Sequence, residues 1–169
     1  LNSNVNTKNI RDSKKIPFKK RILISEYIKK NSIYAIGTAS VEEINKINIL
    51  NASLLSMQRA LKKLKHKPAI AYIDGIFAPK NVNMKFKTFI KGDEKITCIA
   101  AASIVAKATR DLFMIKLAKK YPKYCWNKNF GYGTTDHLRR LKKHGVTKYH
   151  RKKFKPIHKI LMRSTRETQ

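Results

Sequence analysis

Residues 91–111 read KGDEKITCIAAASIVAKATRD. Lys91, Gly92, Asp93 and Glu94 make a charged turn, and the glycine frees the backbone to reverse there. A small-residue apolar run follows. Ala100, Ala101, Ala102 and Ser103 carry so little side chain that a helix built from them can lie very close to whatever it covers. Ser103, Lys107 and Asp111 recur every four residues, so they share one helical stripe. Asp93 sits just before that helix, and the rest of the chain can be read as supplying partners to its carboxylate.

Working outward toward the N-terminus, Thr88-Phe89-Ile90 reads as a short strand, and residues 76–87 as a loop rich in Lys, Asn and Pro. Ala69 to Ile73, AIAYI, is a second apolar strand ended by Asp74-Gly75. Asn48 to Leu64 predicts a helix whose apolar face is Ile49, Leu50, Leu54, Met57, Leu61 and Leu64, with lysines at the end that the helix dipole favours. Ser40 and Glu43 match the capping-box spacing and start a short helix. Ile33 to Ala39 has strand composition, weakened at Gly37. Pro17 favours a helix start, predicting Phe18 to Lys30 with Ile22, Leu23, Tyr27 and Ile28 as its stripe. Residues 1–10 read as irregular.

Toward the C-terminus the central helix runs on to Lys120 and stops at Tyr121-Pro122. Residues 123–134 are aromatic and glycine-bearing. A helix from Thr135 to Lys143 is capped at Gly145. A basic stretch, Tyr149 to Pro156, follows, and residues 164–169 read as disordered. Helices alternating with short strands give an α/β class, one sheet covered by helices.

Of 169 residues, 39 are Lys or Arg and 10 are Asp or Glu, a formal charge of +29. An excess spread from Lys8 to Arg166 calls for a polyanionic partner, with nucleic acid first; a solvated basic surface is the alternative. Cys98 and Cys125 have neither disulfide nor zinc spacing, which fits a reduced, cytoplasmic setting. The longest apolar run falls well short of a membrane span, and there is no signal peptide. The chain begins with Leu1 rather than Met.

With so few acids, each one is informative. Asp74 ends a short apolar strand, where open α/β sheets bind ligands. Asp93 follows the next strand. A carboxylate pair in a positive field suits Mg²⁺ or Mn²⁺ held against a phosphodiester. The competing roles are a turn former for Asp74 and a helix N-terminal acid for Asp93. Asp111 reads as an ion-pair partner of Lys107 or Arg110, and Glu26, Glu42 and Glu43 as helix-surface acids. The five histidines show no metal spacing. His137 and His144 lie a heptad apart and take surface or core roles. Tyr132, between Gly131 and Gly133, suits stacking on a sugar or base; a ring packed under a loop is the alternative.

Five signatures stand in order: Asp12-Ser13-Lys14-Lys15; Ile47-Asn48-Ile49 leading into the Ala52 helix; Tyr72-Ile73-Asp74-Gly75; Lys91-Gly92-Asp93 with Ala100 to Lys107 and Arg110-Asp111; and Gly131-Tyr132-Gly133-Thr134 with His150-Arg151. On these the chain, from about residue 10 to 158, resembles ribonuclease HII, the type 2 ribonuclease H that cuts the RNA strand of RNA–DNA hybrids. The resemblance implies a ribonuclease H-like α/β fold, a mixed sheet flanked by helices. It implies a catalytic domain over residues 1–158 and a basic tail over 159–169. It also implies a monomer in the cytoplasm that acts on hybrids and on ribonucleotides embedded in DNA. Hydrolysis would use two Mn²⁺ or Mg²⁺ ions and leave 5′-phosphate and 3′-hydroxyl ends. Asp74 matches a principal metal ligand and Asp93 the further active-site aspartate. Tyr132 matches the tyrosine that stacks at the RNA–DNA junction. Lys14, Lys15, Ser103, Lys107 and Arg151 are similar to residues near the nucleic-acid backbone.

The family also carries an adjacent Asp-Glu pair and a Gly-Arg-Gly motif on a first strand; no Gly-Arg-Gly occurs in this chain, and its one adjacent Asp-Glu, Asp93-Glu94, follows a later strand. Lys153 stands where the family usually has a serine. The expectation is a fold truncated at its N-terminal strands, from a fragment, a split gene or a decayed remnant, with two of four carboxylates and little activity alone. A non-catalytic basic nucleic-acid-binding protein is the rival.

Overall fold

The structure, a computed structural model, describes residue 1 and residues 6–166, with side chains as far as residue 162. Helix α1 spans Phe18–Lys30, starting directly after Pro17. Its buried face is Arg21, Ser25 and Ile28. Leu23 and Tyr27 are exposed, which corrects the apolar stripe read through them. Arg21 can be buried because its guanidinium donates to the carbonyls of Ser13 and Ile16 at 2.8 and 2.7 Å. Charge-assisted hydrogen bonds of that kind offset the loss of hydration.

Helix α2 spans Val41–Lys63 and unites the two helices expected there. Its start is a reciprocal capping box: Glu43 N–H donates to Ser40 Oγ at 3.1 Å, and Ser40 N–H to Glu43 Oε2 at 2.8 Å. Asn48, at φ 68°, kinks the helix, and its Oδ1 accepts from Asn51 N–H at 3.0 Å, recapping the second half. Ile49 and Leu50, just past the kink, are exposed, so the buried side of the helix begins at Ala52.

Ile33 to Ala39 forms no helix and joins no sheet among the described residues, which corrects the strand expected there. The segment runs against α2 instead. A Cβ on Gly37 would lie 1.9 Å from the Ser56 carbonyl oxygen and 2.6 Å from the Ala60 nitrogen. Arg59 Nη1 donates to the Thr38 carbonyl at 2.7 Å. The backbone is therefore held by a helix rather than by a neighbouring strand.

Strands β1, Ile70–Asp74, and β2, Lys85–Phe89, pair in parallel from Ile70↔Lys85 to Asp74↔Phe89. This pair is the sheet among the described residues, where the family resemblance implied a mixed one. β2 begins three residues before the strand read at Thr88. Its lysines at 85 and 87 both lie on the exposed face, as alternation along a strand allows. In β1, Ala71 and Ile73 point inward while Ile70, Tyr72 and Asp74 point out.

The short helix α3, Gly92–Lys95, leads into α4, Thr97–Lys120. Ala100, Ala101, Ile104 and Val105 of α4 pack with Ile10, Ile16 and Ile28. Asp111 is fully buried. Helix α5 covers Trp126–Asn129 and α6 covers Thr135–His144, capped by Thr134 and ended at Gly145, whose N–H donates to the Leu141 carbonyl at 2.9 Å. Helix α7, Lys155–Arg166, corrects the disorder read for residues 164–166; residues 167–169 lie outside the described residues. It forms because Ile157, Ile160 and Leu161 pack with Leu117, Ala118, Tyr124, Trp126 and Leu141. The chain makes two compact units, Leu1–Thr38 with Ser53–Arg110 and Ala39–Ala52 with Asp111–Gln169.

Candidate active site

In the first unit, the outward parity of β1 exposes Asp74 at the strand's carboxyl end. Gly75, at φ 99°, then turns the chain, and its N–H closes the ladder on the Phe89 carbonyl at 2.8 Å. Asp74 Oδ1 accepts from Gly92 N–H at 2.8 Å. The end of β1 is thereby tied to the turn that carries Asp93. Asp93 is 7% exposed and its Oδ2 lies 3.5 Å from Lys14 Nζ.

Lys14 arrives on a single 3₁₀ turn, Ser13–Lys15, capped by Asp12, whose Oδ1 accepts from Lys14 N–H at 2.9 Å. Lys15 Nζ lies 4.0 Å from Asp12 Oδ2. The side chains of both lysines are mostly exposed, so each ammonium remains accessible to an anion. Ser13 Oγ and Ser103 Oγ are 2.9 Å apart, which fastens this turn to α4. Lys107, one helical turn beyond Ser103, is half-buried. The structure thus brings Asp74, Asp93, Lys14, Lys15 and Ser103 into one neighbourhood.

The Asp74 and Asp93 carboxylates are hard oxygen donors of the kind Mg²⁺ and Mn²⁺ accept. Among the described residues no group of three or more His, Cys, Asp or Glu is placed to hold a metal ion. The donor set therefore fits a hard divalent cation in kind, with two carboxylates.

In the second unit the Tyr132 ring is 48% exposed while its backbone is pinned. Its N–H donates to the Asn129 carbonyl, and its carbonyl accepts from Thr134 N–H and from His137 Nδ1, each at 2.8 Å. Asn129 braces the same turn, accepting from Gly131 N–H and donating to the Tyr124 carbonyl, both at 2.8 Å. The Arg151 guanidinium lies over the Phe154 ring, 5.0 Å from its centroid. That ring also flanks Gly133, so Arg151 and the Tyr132 turn border the same aromatic side chain.

His137 and His150 are both buried, whereas His144 is half-buried. Burial pushes the His150 imidazole down to about 4, with the neighbouring His137 adding to the effect. Burial also lowers His137, against the opposing pull of its bond to the Tyr132 carbonyl and of Asp136. Asp136 is held below the usual carboxylate range by hydrogen bonds from Arg140 and Arg139, each at 2.7 Å.

Sequence reasoning assigned no part in the local framework to Ser13, Arg21, the Gly92 amide or His150. Arg21, Ser25 and Ile28 at helical spacing were the available signal for a buried arginine. A backbone amide has no side-chain signature, so the Gly92 contact had none.

The family model described as ribonuclease HII matches residues 3–157 of the chain. The chain is similar to the ribonuclease HII of Pelagibacter ubique, with 53% identity over 161 residues, 95% of this chain and 87% of that protein. It is similar to the ribonuclease HII of Roseobacter denitrificans, with 41% identity over 152 residues, 90% of this chain and 77% of that protein. Its fold resembles that of a crystal structure of ribonuclease H2 from Pyrococcus horikoshii, with a TM-score of 0.73 and 23% identity. That match covers 92% of this chain and 81% of the other.

Proposed function

The chain belongs to the ribonuclease HII family, and from that premise we propose that it is an endoribonuclease that hydrolyses the RNA strand of RNA–DNA hybrids and cuts at ribonucleotides embedded in DNA. The observation that carries this reading is the joining of Asp74 to the Gly92-Asp93 turn beside Lys14. It sets two carboxylates next to exposed ammonium groups, the combination that a metal-assisted phosphodiester hydrolysis needs.

Asp74 and Asp93 would hold Mn²⁺ or Mg²⁺. When bound, such ions supply an activated water and stabilise the leaving oxygen, giving 5′-phosphate and 3′-hydroxyl products. The protein's own contribution is placement. The Gly92 amide fixes one oxygen of Asp74 and so orients the other. Lys14, Lys15, Lys107 and Arg151 neutralise phosphates, a sequence-independent attraction that fits a net charge of +29. Ser103 and Ser13 hold the lysine turn against α4. Tyr132 offers a half-exposed ring for stacking at the RNA–DNA junction. The enzyme acts as a cytoplasmic monomer; among the described residues no helix is long and apolar enough to cross a membrane.

With two carboxylates in its site, this 169-residue chain turns over slowly on its own. A cleavage assay on a labelled hybrid with Mn²⁺ tests both statements. Weak, metal-dependent cleavage abolished by Asp74→Asn supports them, and full family-level turnover overturns the second. If Asp74→Asn changes neither metal binding nor nucleic-acid handling, the chain is instead a non-catalytic basic nucleic-acid-binding protein.

A further inference from the structure

Beneath the Tyr132 turn lies a chain of hydrogen bonds with one possible direction. A carbonyl only accepts, so His137 Nδ1, 2.8 Å from the Tyr132 oxygen, carries the proton. His137 Nε2 is then a lone pair. It accepts from Trp126 Nε1–H at 3.2 Å, since an indole nitrogen only donates. His150 Nε2 lies 3.4 Å from the same lone pair and must be its second donor. That leaves His150 Nδ1 to accept from Thr147 N–H at 3.0 Å and from the Thr147 hydroxyl at 2.9 Å. The contacts from Thr147 N–H and Trp126 Nε1–H are satisfied only when both imidazoles are neutral and each holds its proton on the stated nitrogen. A proton added at His150 Nδ1 would face the Thr147 amide, and one added at His137 Nε2 would face the indole N–H.

We infer that His137 and His150 are positioning residues for Tyr132: with Trp126 and Thr147 they form a directional chain that fixes the Tyr132 carbonyl, and so the angle at which its exposed ring meets substrate. This rests on the reading of Tyr132 as a stacking residue. An exposed ring between two glycines has wide backbone freedom, and the chain removes it. The arrangement also makes the turn sensitive to acid. Other polar or titratable groups around the pair are few. Tyr124 and Trp126 pack their rings on His150. Tyr149 packs on Trp126. His144 packs edge-on against Tyr124. On α6, Asp136 is beside His137 and bound to Arg139 and Arg140.

Two substitutions at one position separate direction from bulk. His137→Asn keeps a donor where Nδ1 stands, whereas His137→Gln moves the polar group to the Nε2 position and loses the donor to Tyr132. Binding of a fluorescein-labelled RNA–DNA hybrid should weaken about tenfold for Tyr132→Ala, the scale of one lost base stack. His137→Gln should show the same loss, with no further loss in the Tyr132→Ala/His137→Gln double variant. His137→Asn should recover most of the wild-type affinity. In parallel, the ¹⁵N amide resonances of residues 131–134 in the wild-type chain should move together as acid is added below neutrality, before global unfolding. They should also differ in His137→Gln but not in His137→Asn. Equal effects of Asn and Gln on both readouts, or amides that ignore acid, overturn the inference. If Tyr132→Ala binds normally, stacking fails as a role for Tyr132, and the amide resonances alone decide whether the histidines position the turn.

Discussion

The amide of Gly92 donates to Asp74 Oδ1 at 2.8 Å, joining residues eighteen apart in sequence. The contact exists because β1 and β2 are parallel and end together at Asp74↔Phe89, so the turn after β2 returns past the end of β1. One oxygen of Asp74 is thereby held by the backbone. The neighbouring residue of that same turn is Asp93, and the lysine that faces Asp93 comes from the 3₁₀ turn pinned by Arg21 and Ser103. Two acids and a lysine from three separate segments meet through one backbone hydrogen bond and one ion pair.

Asp74→Asn is expected to leave the fold intact, because the asparagine carbonyl still accepts from Gly92 and the side chain is exposed. Urea unfolding should change by less than about 0.5 kcal/mol. Calorimetric Mn²⁺ affinity should fall by more than about 100-fold, beyond the cost of losing an outer-shell partner. Unchanged Mn²⁺ affinity would remove Asp74 from the metal site.

Lys14→Met removes one ammonium at the site. Its ion pair with Asp93 is largely exposed on the lysine side, so stability should shift by less than about 1 kcal/mol. Fluorescence anisotropy of a labelled hybrid at several KCl concentrations should show weaker binding and a salt slope smaller by about 1, the signature of one lost phosphate contact. An unchanged slope would mean that Lys14 serves Asp93 alone.

Gly37→Ala should be among the most destabilising single changes in the chain. The added Cβ would meet the Ser56 carbonyl oxygen and the Ala60 nitrogen, both helix backbone that cannot swing aside. A loss of about 3 kcal/mol, the upper end of ordinary overpacking, is expected as a lower urea midpoint with an unchanged slope. A loss of less than about 1 kcal/mol would show that the 33–39 segment is not held against α2 as described.

Local signals with a stereochemical cause read true in the sequence. Pro17 began a helix, Ser40 and Glu43 closed a capping box, and Gly145 ended α6, because each acts on backbone within one turn. Ile33 to Ala39 did not read true. Strand composition states only that a segment tolerates extension, and what lies beside it is a tertiary matter; here a helix does. Leu23 and Tyr27 misled for a related reason, since apolar spacing could not foresee that Arg21 would find two carbonyls and take the buried face. Asp74 and Asp93 were legible as acids after neighbouring strands, and the family resemblance joined them. The histidine chain was not, because its logic lies in which nitrogen faces which partner.

The same histidines give the fold a pH dependence. The His150 imidazole lies at about 4 in the folded chain against an ordinary 6.5. Between those values the unfolded chain binds a proton that the folded chain refuses, so stability falls as pH falls. The stability linked to His150 is fully present above about pH 6.5 and declines by up to about 1.4 kcal/mol per pH unit toward about pH 4. His137, also lowered by burial, acts in the same direction. Asp136, lowered by its arginines, loses its contribution only at more acid pH, below the ordinary carboxylate value, so it does not mask the effect. Urea unfolding followed from neutral pH down to about pH 4.5 should show the decline. In His150→Asn, where the amide oxygen can still accept from Thr147 and nothing titrates, the slope should flatten by as much as one proton. If wild type and His150→Asn decline in parallel, the burden of acid falls elsewhere and the directional chain beneath Tyr132 is not what acid breaks.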